Sequence, residues 1–237
     1  TQLTDNNKND LHPIYGGKVY DGSKGMKWTI TAPSIIRANG GLSGSKTGNT
    51  NYYTEATGMA GFDRGLKDEN TDDNNSGKLR LAITNGLNNE YTRAQALAVL
   101  PNTEDGDEFT MELTGGATSL SANGTQVVYS TKAYSLPSDA SYTAVDLTTS
   151  DWMDESQVRD WSSIRTVAIK ADKLEPQTVM VGYLPIQVKN IKKTKIGNTA
   201  KIQSYSYAKG KASGYDLSSN TPMKAQIYGI PQITVHY

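Results

Sequence analysis

The two histidines are the first residues to test for catalytic chemistry, because imidazole is the most common general base. His12 stands beside Pro13 in a polar stretch, and His236 lies in an alternating run at the end of the sequence. Neither has Ser, Asp or Glu spaced around it as in a triad, and the chain has no G-x-S-x-G motif and no cysteine. No pair among the 24 Asp and Glu residues stands out as the two carboxylates of a glycosidase. The sequence therefore predicts a protein that is not an enzyme.

Acidic and amide side chains cluster in one polar stretch, where they could hold calcium. The stretch contains Asp68, Asn70, Asp72, Asp73 and Asn74. Calcium takes about six to eight oxygen ligands, and Asp and Asn on a loop can supply them. The helix–loop–helix calcium pattern is not met, because Asp73 stands where the turn Gly belongs and Leu79 where the ligating Glu belongs. Calcium at Asp68, Asn70 and Asp72 remains one interpretation, and a plain solvated loop is the other.

Two further charged runs have the same double interpretation. A second acidic run extends from Glu104 to Glu108, and a lysine run is formed by Lys189, Lys192, Lys193, Lys195 and Lys201. The lysines could meet an acidic polymer such as teichoic acid or a sulfated glycan, or they could be a solvated strand edge or linker. Lys plus Arg and Asp plus Glu are 24 each, so the net charge is zero. That balance argues against nucleic-acid binding, which usually needs a basic excess.

Tyrosines outside the predicted core are the remaining candidates for ligand contact. Tyr52 and Tyr53 lie in a stretch without regular spacing, and Tyr205, Tyr207 and Tyr215 lie further along the chain. Sugars stack on flat aromatic faces, and loop aromatics on a rigid scaffold are a common binding device. A Tyr in a strand is more often half-buried packing. Tyr52 and Tyr53 are therefore the predicted ligand-binding residues.

Alternating apolar and polar residues dominate the rest of the chain and predict strands. The predicted strands are 26–31, 78–84, 96–100, 109–114, 127–130, 164–170, 179–189, 201–207, 223–228 and 232–237. Residues 38–77 show neither strand nor helical spacing, and helical signal is confined to one or two turns at 156–163. Short strands separated by Gly, Asn, Asp and Ser predict a sandwich or barrel.

Domain organisation follows from the same pattern. Residues 1–19 are polar and predict a partly ordered leader, and 20–237 predict one β-sandwich domain with a subdivision near 192–199 as the alternative. The chain starts at Thr1 and has no signal segment, so we expect an excised or mature piece of a longer protein. No apolar run approaches the roughly 18 residues of a membrane helix, which predicts no membrane insertion.

Three stretches of the chain resemble a known family. They are LRLAITNGLNNEYTRAQALAVLPNTEDGDEFTMEL at 79–113, DWSSIRTVAIKADKLEPQTVMVGYLPIQVKN at 160–190, and the weaker run at 196–229. They resemble the repeated modules of Gram-positive wall-anchored adhesins, especially the LPxTG-type surface proteins of lactobacilli. The resemblance implies an all-β fold, an immunoglobulin-like or related β-sandwich with long irregular loops. It also implies a non-enzymatic extracellular module, anchored to the cell wall through parts of a parent protein outside this chain.

The resemblance and the loop residues together predict function. We expect an adhesin domain that binds a host epithelial glycan or a matrix protein, with residues 38–77 as the binding region because the resemblance does not cover them. A structural stalk that spaces another domain from the wall is the alternative. The chain is expected to act as a monomer within a multidomain surface protein, with no cofactor unless calcium orders its loops.

Overall fold

A computed structural model describes residues 2–3, 26–27, 36–45, 51–65, 75–121, 124–138, 141–211 and 216–229. Its strands are β1 (Gln2–Leu3), β2 (Met26–Lys27), β3 (Arg37–Ala38), β4 (Gly41–Gly44), β5 (Ala60–Asp63), β6 (Ser76–Thr84), β7 (Tyr91–Val99), β8 (Met111–Leu113), β9 (Ser119–Leu120), β10 (Gln126–Ser130), β11 (Thr166–Ala171), β12 (Val179–Val188), β13 (Thr199–Gly210), β14 (Asp216–Asn220) and β15 (Met223–Tyr228). Short 3-10 helices span Thr103–Asp105, Glu155–Gln157, Trp161–Ser163 and Ile191–Lys193. No helix in these ranges is long and apolar enough to cross a membrane.

The chain divides into two compact units, residues 1–34 and 35–237. In the first unit, β1 pairs antiparallel with β2. All other strands belong to the second unit. The predicted strand at 232–237 lies outside the described residues, as does most of the predicted leader at 1–19 and of the strand at 26–31. The predicted domain boundaries stay predictions.

Two sheets make up the second unit. The six-stranded sheet has the order β3-β6-β12-β8, with β4 also on β6 and β9 also on β12. The seven-stranded sheet has the order β10-β11-β7-β13-β15-β5, with β14 also on β13. Pairing is antiparallel except between β15 and β5. The predicted all-β class and the β-sandwich architecture are confirmed.

The core lies between the two sheets. Leu79 and Leu81 of β6 are buried together with Ile186 of β12, and the facing sheet contributes Ile169 and Ile202 to the same cluster. In β6 and β12 these residues alternate with neighbours that are mostly more exposed, as the sequence predicts. Side chains from two inner faces interdigitate in this way when sheets pack face to face.

A second apolar layer covers the outer face of the seven-stranded sheet. Leu147 and Trp152, from the connection between β10 and β11, are buried there with Leu97, Tyr205 and Tyr207. Because of this cover, Tyr205 and Tyr207 are packing residues and present no ring to a ligand. Tyr215 lies outside the described residues.

Residues 38–77 are more regular than their composition predicts. They contain β4 and β5, and Leu42 and Phe62 in these strands are fully buried. Alternation is absent in β4 because all four of its residues are covered. The expectation of a wholly irregular segment is therefore wrong for its described part.

Helical content, in contrast, agrees with the sequence. The predicted one or two turns at 156–163 correspond to the 3-10 helices Glu155–Gln157 and Trp161–Ser163. Trp161 also packs edge-on against Tyr129, with ring centroids 5.0 Å apart. The Asp160–Trp161–Ser162 motif of the resemblance thus has a structural role.

Candidate functional site

Tyr52 and Tyr53, the predicted ligand-binding pair, lie on a short extended segment beside β4. The backbone N–H groups of Leu42 and Tyr53 each donate to the other residue's carbonyl oxygen, at 2.8 Å. Successive residues of an extended strand point to opposite faces. Tyr53 therefore lies on the side of the buried Leu42, while Tyr52 lies on the outer face of the six-stranded sheet.

Tyr52 contacts two residues that the sequence analysis did not single out. Its ring centroid is 5.7 Å from that of Tyr183, in an edge-on arrangement at 63°. The guanidinium carbon of Arg80 lies 4.5 Å from the Tyr52 ring centroid. Arg80 and Tyr183 are direct partners in the β6–β12 register. We call Tyr52, Arg80 and Tyr183 the Tyr52 platform.

Gly41 allows Tyr52 to lie close to the sheet. A Cβ atom at Gly41 would lie 2.7 Å from the Tyr52 Cβ, which is closer than non-bonded carbons approach. Gly41 also pairs with Arg80 in the β4–β6 register. The missing side chain thus leaves the room in which the ring reaches across to Arg80.

One nitrogen of the Arg80 guanidinium is shielded from water, although the residue as a whole is partly exposed. Its Nε atom is buried and has no hydrogen-bond partner among the described residues. A cation over an aromatic face is attracted by the ring quadrupole, and desolvation strengthens that attraction. The Arg80–Tyr52 contact therefore holds the ring in a fixed position.

The Tyr52 phenol keeps its proton across the physiological pH range. Burial raises its pKa, and the neighbouring Tyr183 raises it further, while the positive charge of Arg80 opposes both. A neutral phenol both donates and accepts hydrogen bonds. Tyr52 remains partly exposed, so part of its side chain is accessible to a ligand.

The turn after Tyr53 is fastened to the rest of the sandwich. The Glu55 N–H donates to the Pro222 carbonyl at 2.7 Å, and the Glu55 carboxylate pairs with Lys201 at 2.8 Å. The Tyr53 ring lies against Gly58. Of the predicted pair, only Tyr52 lies on the outer face of the six-stranded sheet. The turn that follows Tyr53 is held by these contacts.

The predicted calcium ligands Asp68, Asn70 and Asp72 lie outside the described residues, so calcium binding there stays a prediction. In the second acidic run, each of three carboxylates has a partner within the protein. Asp105 pairs with Arg165, Asp107 accepts from the Asn102 N–H at 3.1 Å, and Glu108 accepts from the Thr199 N–H at 2.5 Å. Within the ranges that the structure describes, no three His, Asp or Glu side chains are grouped to hold a metal ion.

Within the described residues, two members of the lysine run have carboxylate partners. Lys189 lies 3.7 Å from Glu112, and Lys201 pairs with Glu55. Lys193 and Lys195 are exposed and line a polar cleft. Most of the run lies in the connection between β12 and β13, and only Lys201 lies in a strand.

Comparison with known proteins gives only distant likenesses. No protein-family model matches the chain, and no curated protein matches it in sequence. The chain is similar to the major pilin subunit of Bacillus cereus, at 8% identity and a TM-score of 0.37, over 81% of this chain and 40% of that chain. It is also similar to the major subunit of aggregative adherence fimbriae type I from Escherichia coli, at 8% identity and a TM-score of 0.34, over 83% and 96% of the two chains.

A third similar structure is the collagen-binding domain of a Staphylococcus aureus adhesin, at 11% identity and a TM-score of 0.27, over 70% of this chain and 93% of that domain. At such identities and TM-scores, these likenesses do not bear on what this chain binds. Its function has to be argued from its own residues.

Proposed function

We propose that this chain is a non-enzymatic, extracellular adhesin domain that binds a host epithelial glycan or matrix protein through the Tyr52 platform. The observation that carries the proposal is the partly exposed Tyr52 ring, whose centroid lies 4.5 Å from the guanidinium carbon of Arg80 on the outer face of the six-stranded sheet. A binding residue that is already fixed loses little conformational entropy when a ligand arrives.

The chemistry of the platform suits shallow recognition. An aromatic face accepts the apolar face of a sugar ring or an aliphatic side chain, and the phenol hydroxyl adds a directional contact. Tyr and Arg are also enriched among residues that contribute most to protein–protein binding. Individual contacts of this kind are weak, but many copies on one cell surface raise the overall avidity.

The test is binding of the purified chain to epithelial glycans, fibronectin, collagen, fibrinogen and intact epithelial cells. Tyr52→Ala is expected to weaken a specific interaction at least about tenfold, because a fixed aromatic contact is lost. Tyr52→Phe keeps the ring and should weaken it less than about threefold. Tyr142→Ala, at a tyrosine that is 51% exposed in the connection between β10 and β11, is the matched control and should bind as the wild type does.

Point substitution is the appropriate test because β4 and β5 lie within residues 38–77. Shortening that segment would remove the buried Leu42 and Phe62 and would unfold the sandwich. A ligand that binds Tyr52→Ala as tightly as the wild type would overturn the platform. If the purified chain binds no ligand of the panel while a longer parent protein still binds one, the stalk function is favoured instead.

Calcium is tested in the same assays. If Asp68, Asn70 and Asp72 bind calcium and order a binding loop, the chelator EDTA should weaken the interaction, and Asp68→Asn with Asp72→Asn should remove that sensitivity. Equal binding with calcium and with EDTA would show that recognition does not depend on the ion.

A further inference from the structure

A polar cleft of about 540 Å³ lies away from the Tyr52 platform. Its lining includes Thr103, Glu104, Lys193, Lys195 and Asn198. One side is formed by the 3-10 helix Thr103–Asp105 and the other by the connection between β12 and β13. The volume lies within the range of small-ligand sites, about 300 to 1,000 Å³.

Both sides of the cleft are held in place by hydrogen bonds. The Asn102 side chain accepts from the Glu104 N–H at 2.9 Å and caps the first 3-10 helix. On the other side, the Thr194 hydroxyl donates to the Ile191 carbonyl at 2.6 Å, and the Lys195 N–H donates to the Asn198 side chain at 2.8 Å. The cleft is therefore formed before any ligand arrives.

Glu108 joins the two sides. Its carboxylate accepts from the Thr199 N–H at 2.5 Å and from the Asn198 side-chain amide at 3.3 Å. These hydrogen bonds, the backbone one first, hold the pKa of Glu108 below its usual value. The carboxylate is thus engaged with the protein, and its role is to fasten the wall that carries Lys195 and Asn198.

Other charged groups of the cleft lining are not engaged in ion pairs with described residues. No ion-pair partner is found in the described part of the chain for the ammonium groups of Lys193 and Lys195, or for the Glu104 carboxylate. Lys189 also lines the cleft and lies 3.7 Å from the Glu112 carboxylate. The remaining lining residues carry mainly amide and hydroxyl groups, and the apolar Phe109 is only 2% exposed. An apolar ligand would leave these charged, amide and hydroxyl groups without hydrogen-bond partners, which is unfavourable.

From this lining we infer a second binding site, for an acidic saccharide whose sugar ring carries a carboxylate. Lys193 and Lys195 donate to that carboxylate, because charge-assisted hydrogen bonds are the strong ones. Glu104 and the amide and hydroxyl groups accept from and donate to the sugar hydroxyls. This inference does not depend on the proposed function, because no residue of the Tyr52 platform takes part.

The experiment measures binding of hyaluronan tetrasaccharide, a carboxylate-bearing probe, by calorimetry at low and high salt. Neutral chitotetraose is the comparison ligand. The wild-type chain should bind the acidic probe more tightly than the neutral one, and high salt should weaken the difference. The double variant Lys193→Gln with Lys195→Gln should weaken binding of the acidic probe more than about tenfold, the value of one or two charged hydrogen bonds.

A matched double variant separates the cleft from general charge. Lys170→Gln with Lys209→Gln removes the same charge from strands β11 and β13, outside the cleft lining, and should bind as the wild type does. An equal loss in both double variants, equal affinity for the two saccharides, or no binding of hyaluronan tetrasaccharide at millimolar concentration would each overturn the site. Tyr52→Ala should leave this binding unchanged, so failure of the cleft and failure of the platform are distinguishable.

Discussion

Asn85 joins two loops that are distant in the sequence. Its side-chain amide donates to the Asn89 carbonyl at 2.9 Å and to the Leu174 carbonyl at 3.0 Å. Its side-chain oxygen accepts from the Leu87 N–H at 3.1 Å. Asn85 is fully buried, so no water is available to replace these partners.

Asn85→Ala is therefore expected to lower the free energy of unfolding by about 1 to 3 kcal/mol, because the buried Leu174 carbonyl oxygen would lose its donor. Urea denaturation followed by tryptophan fluorescence measures the change. The exposed Asn88 in the same loop is the control, and Asn88→Ala should change stability by less than about 0.5 kcal/mol. Similar effects for the two variants would show that the Asn85 network contributes little.

Among the strands, β4, β5 and β6 approach each other more closely than side chains allow. A Cβ atom at Gly44 would lie 2.1 Å from the Gly61 carbonyl oxygen, and one at Gly77 would lie 2.5 Å from the Ser43 carbonyl oxygen. Glycine is needed at such positions because the backbone of a neighbouring strand occupies the space of a side chain. The same approach positions β4, which carries the pairing partner of Tyr53.

Gly44→Ala should lower the free energy of unfolding by at least about 1 to 3 kcal/mol, since a methyl group would force β4 and β5 apart. Gly115→Ala is the matched control, because a Cβ atom there would lie 3.7 Å from Pro185, an ordinary contact distance. Thermal denaturation of the two variants compares them. If both variants have the same melting temperature as the wild type, the close approach of β4 and β5 contributes nothing to stability.

Across the whole second unit, a single buried cluster draws on both sheets. Ile191 and Ala200, on either side of the predicted subdivision near 192–199, belong to that cluster. Residues that share one core lose their contacts together when the fold opens. The sandwich is therefore expected to unfold as one cooperative unit.

Calorimetry tests this cooperativity. We expect one heat-absorption peak from residues 35–237, with a calorimetric enthalpy equal to the van't Hoff enthalpy. Two separable peaks would instead support two domains with a boundary near 192–199. Chemical denaturation followed by circular dichroism and by fluorescence should give coincident curves.

Much of the architecture could be predicted locally. Alternation at 79–83 and 179–188 places every second residue in the core, and strand pairing then follows the pattern. The strand β4 could not be found in this way, because both of its faces are covered and its residues do not alternate. A glycine-rich strand such as β4 is predicted as a loop, because the backbone of neighbouring strands packs against it and its own side chains show no alternation.

The all-β class and the candidate Tyr52 came from the chain alone, because alternation and an aromatic pair in a polar segment are properties of neighbouring residues. The partners of Tyr52 depended on folding, since only the β6–β12 register brings Arg80 beside Tyr183. In the same way, the connection between β10 and β11 covers Tyr205 and Tyr207 and removes them as candidates. A surface is made by strands that are far apart in sequence, so which aromatic rings face a ligand depends on long-range packing.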